Sequence, residues 1–417
     1  MDTTEQLLDG LPKITGWHQE FYEDLHRHPE LSFQETRTAS RVADRLRELG
    51  FEVHEKIGAT GLVGILRNGA GKTVLSRADM DALPVHEETG LPYASTATTV
   101  DTDGKTVPLM HACGHDMHVT CLLAAAALLS GNREAWSGTF IALFQPAEEV
   151  GAGAQSMVDG GLAGLIPKPD VALGQHVMGL PYDTVATRAG AIMSAGDSVK
   201  VTVYGKGTHG SMPHRGIDAV LLGSAIVMRL NAIVSRELQP GTFAVVTVGS
   251  FQSGSKSNVI PGEATLLLNL RSYEQATRAR VMAALERIVR AECEASGSPK
   301  PPVIEYYDQF PLTENSANVH ARVAAAFGHY FGDKAVTAEP ETASEDFSVV
   351  PVALGVPYQF WFFGGFDPQL YASAAEAGTL AQVIPPNHNG HFAPVFGPSF
   401  ATGAKAMAVA VMSYLGR

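Results

Sequence analysis

One short segment combines residue types that bind metal ions. It reads His111-Ala-Cys113-Gly-His115-Asp116-Met-His118, with a thiol and an imidazole two residues apart. Borderline-soft divalent ions prefer thiolate and imidazole ligands, and a tight turn can bring both to one ion. The alternative is a buried cysteine beside polar groups that cap a helix. The density of ionisable groups favours a metal site, because burying so many of them without a partner is costly.

A second segment, Gln145-Pro-Ala-Glu148-Glu149, places two carboxylates side by side. Adjacent carboxylates repel each other unless a cation separates their roles, with one binding the ion and the other moving a proton. An exposed acidic loop is the alternative. The apolar residues before it, Ile141 to Phe144, predict a strand that ends here, which favours a functional pair.

Further histidines are weaker signals when taken alone. His176 follows the apolar run Val171–Gln175, and His388 and His391 lie near the C-terminus. A single histidine at a strand end is more often structural than a ligand. The loop from Gly205 to Arg215 is rich in glycine and histidine and includes His209, which is typical of a loop that approaches a ligand.

Strands and helices alternate in the first part of the chain. Apolar spacing predicts helices at 14–28, 36–49 and 117–129, and strands at 62–66, 74–76, 139–144 and 171–175. This order predicts an α/β layer with a mostly parallel sheet, whose sites lie at the carboxyl ends of strands. The turn Asn68-Gly69-Ala70-Gly71 between two of the strands predicts a β-hairpin.

The pattern changes near Gly190. Predicted elements run strand, helix, strand, strand, helix, strand from Val199 to Tyr307, which is the order of a ferredoxin-like unit. We therefore expect a first domain formed by residues 1–187 and 309–417, with 188–308 inserted as a second domain.

Composition limits the class of partner. The chain has 417 residues, a formal net charge of −13 and three cysteines. The acidic balance argues against nucleic acid, and so few cysteines argue against a disulfide framework. The longest aliphatic run, Val119–Leu129, is shorter than the roughly 20 residues that cross a bilayer, and the first residues do not resemble a signal peptide. We expect a cytoplasmic protein that binds a small molecule and no membrane.

Several segments together resemble the peptidase M20 family, in its branch of N-acyl-amino-acid amidohydrolases, hippurate hydrolases and auxin-conjugate hydrolases. The matching segments are Leu25–Leu31, Arg77–Pro84, His111–Asp116, Gln145–Glu149, His209–His214 and Ser257–Pro261. The resemblance implies a zinc-peptidase-like catalytic domain with a mixed, mostly parallel sheet. It also implies that the inserted ferredoxin-like domain is a lid that forms a homodimer.

The resemblance further implies the residues of the site. The ligands of two divalent ions would be Cys113, His115, Glu149, His176 and His388, and Glu148 would be the general base. His388 is preferred to His391 because the family places this ligand four residues before a phenylalanine, here Phe392, although His391 remains an alternative.

The resemblance also gives roles to residues around the ions. Asp81 would support the site, and Asp79 stands where relatives outside this branch have a metal-binding histidine. His209 would reach the active site of a partner subunit, and Asn258 and Arg271 would bind the carboxylate of the substrate.

The expected reaction is hydrolysis of the amide bond of an N-acyl amino acid. Glu148 would take a proton from the attacking water and pass it to the departing amine, and His209 would help to hold the oxyanion. Zinc suits the thiolate and imidazole ligands, while manganese or cobalt is also compatible. The nearest alternative is a metallopeptidase with the same site, a dipeptidase or carboxypeptidase. A catalytically silent metal-binding protein would require a missing ligand or base, and none is missing.

Overall fold

A computed structural model describes residues 2–100 and 104–417. The helices are α1 (Thr3–Leu8), α2 (Leu11–Arg27), α3 (Thr36–Glu48), α4 (His115–Gly131), α5 (Gly153–Asp159), α6 (Leu162–Leu165), α7 (Ala219–Leu230), α8 (Gln275–Ala295), α9 (Ala317–Phe331), α10 (Val349–Leu354), α11 (Pro368–Glu376), α12 (Leu380–Val383) and α13 (Phe396–Leu415). The strands are β1 (Glu52–Ile57), β2 (Gly61–Asn68), β3 (Thr73–Asp79), β4 (Thr98–Val100), β5 (Thr106–Pro108), β6 (Gly138–Gln145), β7 (Val171–Pro181), β8 (Val185–Thr187), β9 (Gly190–Met193), β10 (Ala195–Tyr204), β11 (Thr208–His209), β12 (Ala244–Gln252), β13 (Val259–Ile260), β14 (Glu263–Ser272), β15 (Val303–Phe310), β16 (Thr313–Asn315), β17 (Ala335–Thr337) and β18 (Tyr358–Phe366).

The chain divides into two compact units. Unit 1 comprises Met1–Ile192, Glu314–Glu339 and Asp346–Arg417, and unit 2 comprises Met193–Thr313 and Pro340–Glu345. The predicted division, with 188–308 inserted, differs by a few residues at each boundary and assigned 340–345 to the first domain. These residues belong to unit 2 because Ser194 bonds to them, donating its backbone N–H to the carbonyl oxygens of Glu341 and Ala343.

Unit 1 is built on an eight-stranded sheet in the order β1-β2-β6-β3-β7-β18-β8-β17. The four central strands β6, β3, β7 and β18 are parallel, while β1, β2 and β6 pair antiparallel. The strands β3, β6 and β18 are buried almost throughout, as expected for parallel strands covered on both faces. The predicted mixed, mostly parallel α/β fold is confirmed.

The predicted hairpin at Asn68–Gly71 is wrong. Strand β6 lies between β2 and β3, antiparallel to the first and parallel to the second, so the two strands do not pair with each other. The turn crosses over the end of β6, where Thr139 donates its N–H to the carbonyl of Lys72. A short polar turn specifies the reversal of the chain, but an apolar third strand gains more burial by pairing on both edges.

Helix α4 is the central helix of unit 1. Its residues from His115 to Ala126 are all buried, and it packs against α2, α13 and β3. A helix that is apolar all round belongs in a core rather than at a surface. Its first turn therefore presents ionisable side chains inside the protein.

Unit 2 has a four-stranded antiparallel sheet in the order β12-β14-β10-β15, with α7 and α8 packed on it. Sequence order and sheet order together are those of the predicted ferredoxin-like unit, which confirms that prediction. Helix α7 ends at Leu230, and a π-helical segment follows at Ile233–Glu237. A separate two-stranded ribbon pairs β11 with β13.

The stretch Ala219–Glu237 is long and apolar enough, by length and composition, to cross a membrane. In the structure one face of α7 packs in the core of unit 2 through Leu222, Ile226 and Leu230. On the opposite face Leu221 and Met228 are 70% and 75% exposed.

Candidate active site

The first turn of α4 is shaped by Gly114. This residue caps the helix at φ 82°, and an added Cβ would lie 2.4 Å from Cγ1 of Val177 on β7. Only glycine adopts this left-handed conformation readily and tolerates so close a neighbour. The turn brings Cys113 and His115, on either side of the glycine, into one buried cluster.

His176 faces Cys113 from the middle of β7, which continues to Pro181 and does not end at Gln175 as predicted. Its Nε2 lies 3.4 Å from Sγ of Cys113, while its Nδ1 lies 2.8 Å from the carbonyl oxygen of Val177. A carbonyl can only accept, so Nδ1 carries the proton of the neutral ring. The lone pair of Nε2 is therefore directed at the cluster.

His115 is anchored in the same way. Its Nδ1 lies 3.2 Å from Oδ1 of Asp81, and its Nε2 lies 3.7 Å from Oε1 of Glu149. Both Nε2 of His115 and Oε1 of Glu149 are buried, and neither has a hydrogen-bond partner among residues 2–100 and 104–417. Two facing buried polar atoms without partners are costly, and a cation between them would satisfy both.

Glu148 and Glu149 follow β6 on a tightly wound loop. Asp81 accepts the backbone N–H of Glu149 through Oδ2 at 3.0 Å, and Oε2 of Glu148 lies 3.9 Å from Nε2 of His115. The loop closes at Gly153, where an added Cβ would lie 1.5 Å from the carbonyl oxygen of Pro146. Both carboxylates are thereby held beside the cluster.

His388, rather than His391, joins this cluster. Nε2 of His388 lies 3.2 Å from Oε2 of Glu149, whereas Nε2 of His391 lies 3.7 Å from a carboxylate oxygen of Glu88. The neighbouring Asn387 ties the turn down, because its side-chain amide donates to the carbonyl oxygens of Cys113 and Val177. The position of His388 therefore depends on the same α4 turn that holds Cys113.

The electrostatics of the cluster are those of a cation site. Burial raises the pKa of Glu149 to about 8, and burial together with Glu149 raises that of Cys113 well above its usual range. Burial disfavours the charged form of His115, but Asp79 and Asp81 outweigh it and raise its pKa to about 10. A bound divalent ion would lower these pKa values, because it stabilises thiolate and carboxylate and displaces protons.

Two further residues, His118 and Arg77, support the cluster and had no assigned role in the sequence prediction. Nδ1 of His118 lies 2.6 Å from Oδ1 of Asp79, and its Nε2 accepts the backbone N–H of Val177 at 2.8 Å. Arg77, itself fully buried, donates to the other oxygen of Asp79 at 2.7 Å. His118 thus fixes the strand that carries His176. The spacing of His118, three residues after His115 on a buried helix, is the signal that indicates a shared face.

The predicted residues of unit 2 lie on separate elements of that unit. His209 on β11 pairs with Val259 on β13, and Gly210 donates its N–H to the carbonyl of Asn258 at 2.7 Å, so His209 and Asn258 are neighbours. Nδ1 of His209 accepts the N–H of Ser211 at 3.2 Å. In the neutral ring the proton is then on Nε2, which makes that atom a donor.

Arg271 on β14 is half-buried and bonds to neutral groups. Its Nε donates to Asn269 at 2.8 Å and its Nη1 to Ser344 at 2.5 Å. It forms no ion pair within the described parts of the chain. A partly desolvated guanidinium without an anionic partner is suited to binding a carboxylate.

The side chains fit a pair of divalent ions. Sets of atoms within 4.8 Å of one another come from Cys113, His115 and His176, and from Cys113, Glu149 and His388, while Asp79, His115 and His118 form a further set. Cys113 belongs to the first two sets, which brings the five predicted ligands together around one thiol. Mixed thiolate, imidazole and carboxylate donors suit zinc, and also manganese or cobalt.

Comparison with known proteins identifies the family to which this chain belongs. The model of peptidase family M20/M25/M40 matches residues 75–384. A protein named thermostable carboxypeptidase 2 from Saccharolobus solfataricus is 37% identical over 84% of this chain and 86% of its own length. A hippurate hydrolase from Campylobacter jejuni is 35% identical over 83% of this chain and 87% of its own.

A solved structure agrees in fold. A Bacillus subtilis protein described as a dinuclear metal binding peptidase from the M20 family superposes with a TM-score of 0.75 and 26% identity, covering 95% of this chain and 97% of that one. The family model spans most of the chain, and the curated relatives exceed 30% identity over most of their length. The chain is therefore a member of the M20 family of metal-dependent hydrolases.

Proposed function

We propose that the protein hydrolyses the amide bond of N-acyl amino acids, using two divalent ions held by Cys113, His115, Glu149, His176 and His388. The observation that carries this proposal is the facing pair of partnerless buried atoms, His115 Nε2 and Glu149 Oε1, beside the carboxylate of Glu148. Zinc is the proposed ion. The relative named hippurate hydrolase supports an acylated amino acid as the substrate.

The ions would supply Lewis acidity, which polarises the amide carbonyl and makes water a nucleophile near neutral pH. Glu148 takes a proton from the attacking water and returns it to the departing amine. Its buried position keeps bulk water from competing for that proton. Asp81 holds His115 in the tautomer that leaves Nε2 unprotonated and also fixes the backbone of Glu149.

The proposed roles of unit 2 concern the substrate. His209, with its proton on Nε2, donates to the oxyanion that forms on the former carbonyl oxygen. Arg271 and Asn258 bind the carboxylate of the amino-acid portion. Because a dipeptide or peptide C-terminus carries the same carboxylate, this clamp fits both an amidohydrolase and a carboxypeptidase.

A metallopeptidase is the second candidate, favoured by the relative named carboxypeptidase. The two candidates share the ions, the base and the carboxylate clamp. They differ only in whether the acyl side of the cleaved bond is a simple acyl group or another amino acid.

A hydrolysis screen with metal analysis tests the proposal. Chelator-treated protein would be reloaded with zinc, manganese or cobalt and given N-acetyl, N-benzoyl and longer N-acyl amino acids beside dipeptides. Metal-dependent release of amino acid from acylated substrates is the expected result. Faster turnover of dipeptides would favour the metallopeptidase over the amidohydrolase. Bound metal without turnover of any substrate would contradict both proposed activities.

We also propose that unit 2 forms a homodimer through α7 and the edge strand β12. Leu221 and Met228 expose large apolar side chains on α7, and Phe251 exposes another on β12. Exposed apolar side chains that cluster on one face are typical of protein interfaces. Leu221→Glu should shift the sedimentation coefficient to that of a monomer, whereas a wild-type protein that sediments as a monomer would contradict the proposal.

A further inference from the structure

Glu35 is a buried carboxylate that the reaction described above does not use. It occupies the N-cap position before α3, yet it makes no capping bond. Glu30 performs that task, accepting the N–H groups of Arg37 at 2.9 Å and Thr38 at 2.8 Å. The carboxylate of Glu35 is therefore available for contacts elsewhere.

Those contacts lead to the loop that carries the proposed base. Oε1 of Glu35 accepts the backbone N–H of Ala147 at 2.8 Å and that of Phe33 at 2.9 Å. Oε2 accepts the hydroxyl of Thr60 at 2.5 Å. Ala147 immediately precedes Glu148, so this contact fixes the residue from which the base extends.

Ala147 needs such a contact because of its backbone conformation. It has φ 50°, in the left-handed region that residues with a Cβ rarely occupy. A non-glycine residue stays there only when its surroundings hold it, and such residues concentrate at functional sites. The bond from its N–H to Glu35 is one of those holds.

The segment containing Glu35 touches the same loop a second time. Ser32 donates its hydroxyl to Oδ2 of Asp81 at 2.7 Å, and the same oxygen accepts the N–H of Glu149 at 3.0 Å. Residues 32–35 thus hold the loop on both sides of Glu148. Glu35 bonds to Ala147 before it, and Ser32 bonds to Asp81, which in turn accepts the N–H of Glu149 after it. Burial raises the pKa of Glu35 to about 7.

We propose that Glu35 is a positioning residue for Glu148, acting by holding the left-handed turn at Ala147 that directs the base toward the metal cluster. The inference rests on the proposed function, since it concerns the residue assigned as base. Glu35 is not one of the proposed ligands, and its contacts are with Phe33, Thr60 and Ala147. Its loss should misplace Glu148 by a fraction of the side chain's length while leaving the ligands in position.

Two replacements of similar size separate the hydrogen bond from the space that Glu35 fills. Glu35→Gln keeps the acceptor at Oε1 and turns the amide toward Thr60, whose hydroxyl can accept. Glu35→Met fills the same volume with no acceptor. We expect Glu35→Met to lower kcat on the order of 10²-fold with KM and metal per chain unchanged, and Glu35→Gln to retain most of the activity.

The pH profile supplies a readout that a merely structural role would not move. The acid limb of kcat/KM reports the ionisation of the base in the free enzyme, so it should shift in Glu35→Met and not in Glu35→Gln. Glu30→Met is the matched control: it removes two backbone hydrogen bonds from α3 and should lower the unfolding temperature without changing kcat.

Three results would overturn the proposal: full kcat in Glu35→Met, an equal loss in Glu35→Gln, or a loss that follows the metal content. If Glu35→Met does not fold, Glu35→Asp takes its place, because its carboxylate is one methylene too short to hold both Ala147 and Thr60. Wild-type kcat in Glu35→Asp would then contradict the proposal. The assays use whichever amide the wild-type protein hydrolyses, so a wrong substrate class is seen in the wild type and a wrong role for Glu35 only in the variants.

Discussion

Most of the proposed site residues of unit 1 are held differently from those of unit 2, the exception being the exposed His388. In unit 1 His115, Glu148 and His176 are buried, and each histidine is anchored through Nδ1 by a carboxylate or a carbonyl. In unit 2 His209 on the two-stranded ribbon and Asn258, directly before it, are both exposed. Buried polar groups need a hydrogen-bond partner in the fold or a bound ion, whereas exposed polar groups can bond to water until a substrate binds. The fold therefore fixes the proposed metal site of unit 1 more firmly than the exposed side chains of unit 2.

The largest effect is expected from the base. Glu148→Gln should lower kcat by about 10²- to 10⁴-fold because the amide cannot accept the proton of water. The metal content should stay at the wild-type level, since the five proposed ligands are untouched. Single-turnover rates with metal analysis measure both.

Glu149→Gln is the matched comparison at the adjacent position. It should lose metal first and activity as a consequence, because Glu149 is the residue that faces both His115 and His388. Metal loss in Glu148→Gln instead would mean that the two glutamates have exchanged roles.

The next largest effect is expected from His209. It tests whether this exposed residue of unit 2 takes part in the reaction proposed for the buried cluster of unit 1. Removing one oxyanion donor costs about 10²- to 10³-fold in kcat, so His209→Ala should fall by that factor while its unfolding temperature stays constant. The exposed His329→Ala should change neither quantity.

Mixing the two inactive variants examines the proposed dimer. If His209 serves the partner subunit, heterodimers of Glu148→Gln and His209→Ala contain one intact site, and activity should reappear on mixing. Activity that stays at the level of the separate variants, although heterodimers form, would contradict action across the dimer.

A pH-dependent change in the free energy of unfolding is expected from His26, a buried residue of unit 1. Burial opposes ionisation of His26, but its hydrogen bonds to Asp116 and Glu87, at 2.7 and 3.0 Å, raise its pKa to about 9. A raised pKa stabilises the folded state below the unfolded value near 6.5 and loses that stabilisation as pH rises through 9. The contribution of His26 should reach about 3 kcal/mol and vanish above pH 9.

Urea unfolding of wild type and His26→Gln at pH 6, 7.5 and 9.5 measures this contribution as their difference in the free energy of unfolding. His28→Gln, at the exposed position directly after α2, is the control for replacing a histidine at this end of the helix. A difference that does not change between pH 6 and 9.5 would show that His26 is not a buried cation.

The smallest effect is expected at the carboxylate clamp. Hydrogen bonds to charged groups contribute about 1.5–3 kcal/mol, so Arg271→Ala should lower kcat/KM roughly 10- to 150-fold on substrates with a free carboxylate. Substrates whose carboxylate is blocked as an amide should be affected far less. Equal losses on both would assign Arg271 a structural role through Ser344 and Asn269.

The types and spacing of the residues along the chain already indicate part of the cluster. Cys113 and His115 are separated by one glycine, and the pair Glu148-Glu149 follows an apolar strand, so their types and spacing already predicted a metal site at a sheet edge. The ferredoxin-like order of strands and helices in unit 2 could also be predicted, because strand and helix periodicities are local properties of a sequence.

Only the tertiary structure decided features that depend on distant partners. The hairpin at Asn68–Gly71 failed because β6, encoded some 65 residues later, inserts between its two strands. The family resemblance preferred His388 and left His391 as an alternative. In the structure the turn is held by Asn387, and His388 lies beside Glu149 while His391 lies beside Glu88.

Glu35 shows the same limit most clearly. In the sequence it is one acidic residue before a helix and nothing indicates a role. In the fold Glu30 accepts the first N–H groups of α3, and the carboxylate of Glu35 reaches Ala147. The sequence determines which groups are present and how neighbours along the chain are spaced. Which groups meet across more than one hundred residues is decided by packing, because the burial of apolar strands and helices sets those distances.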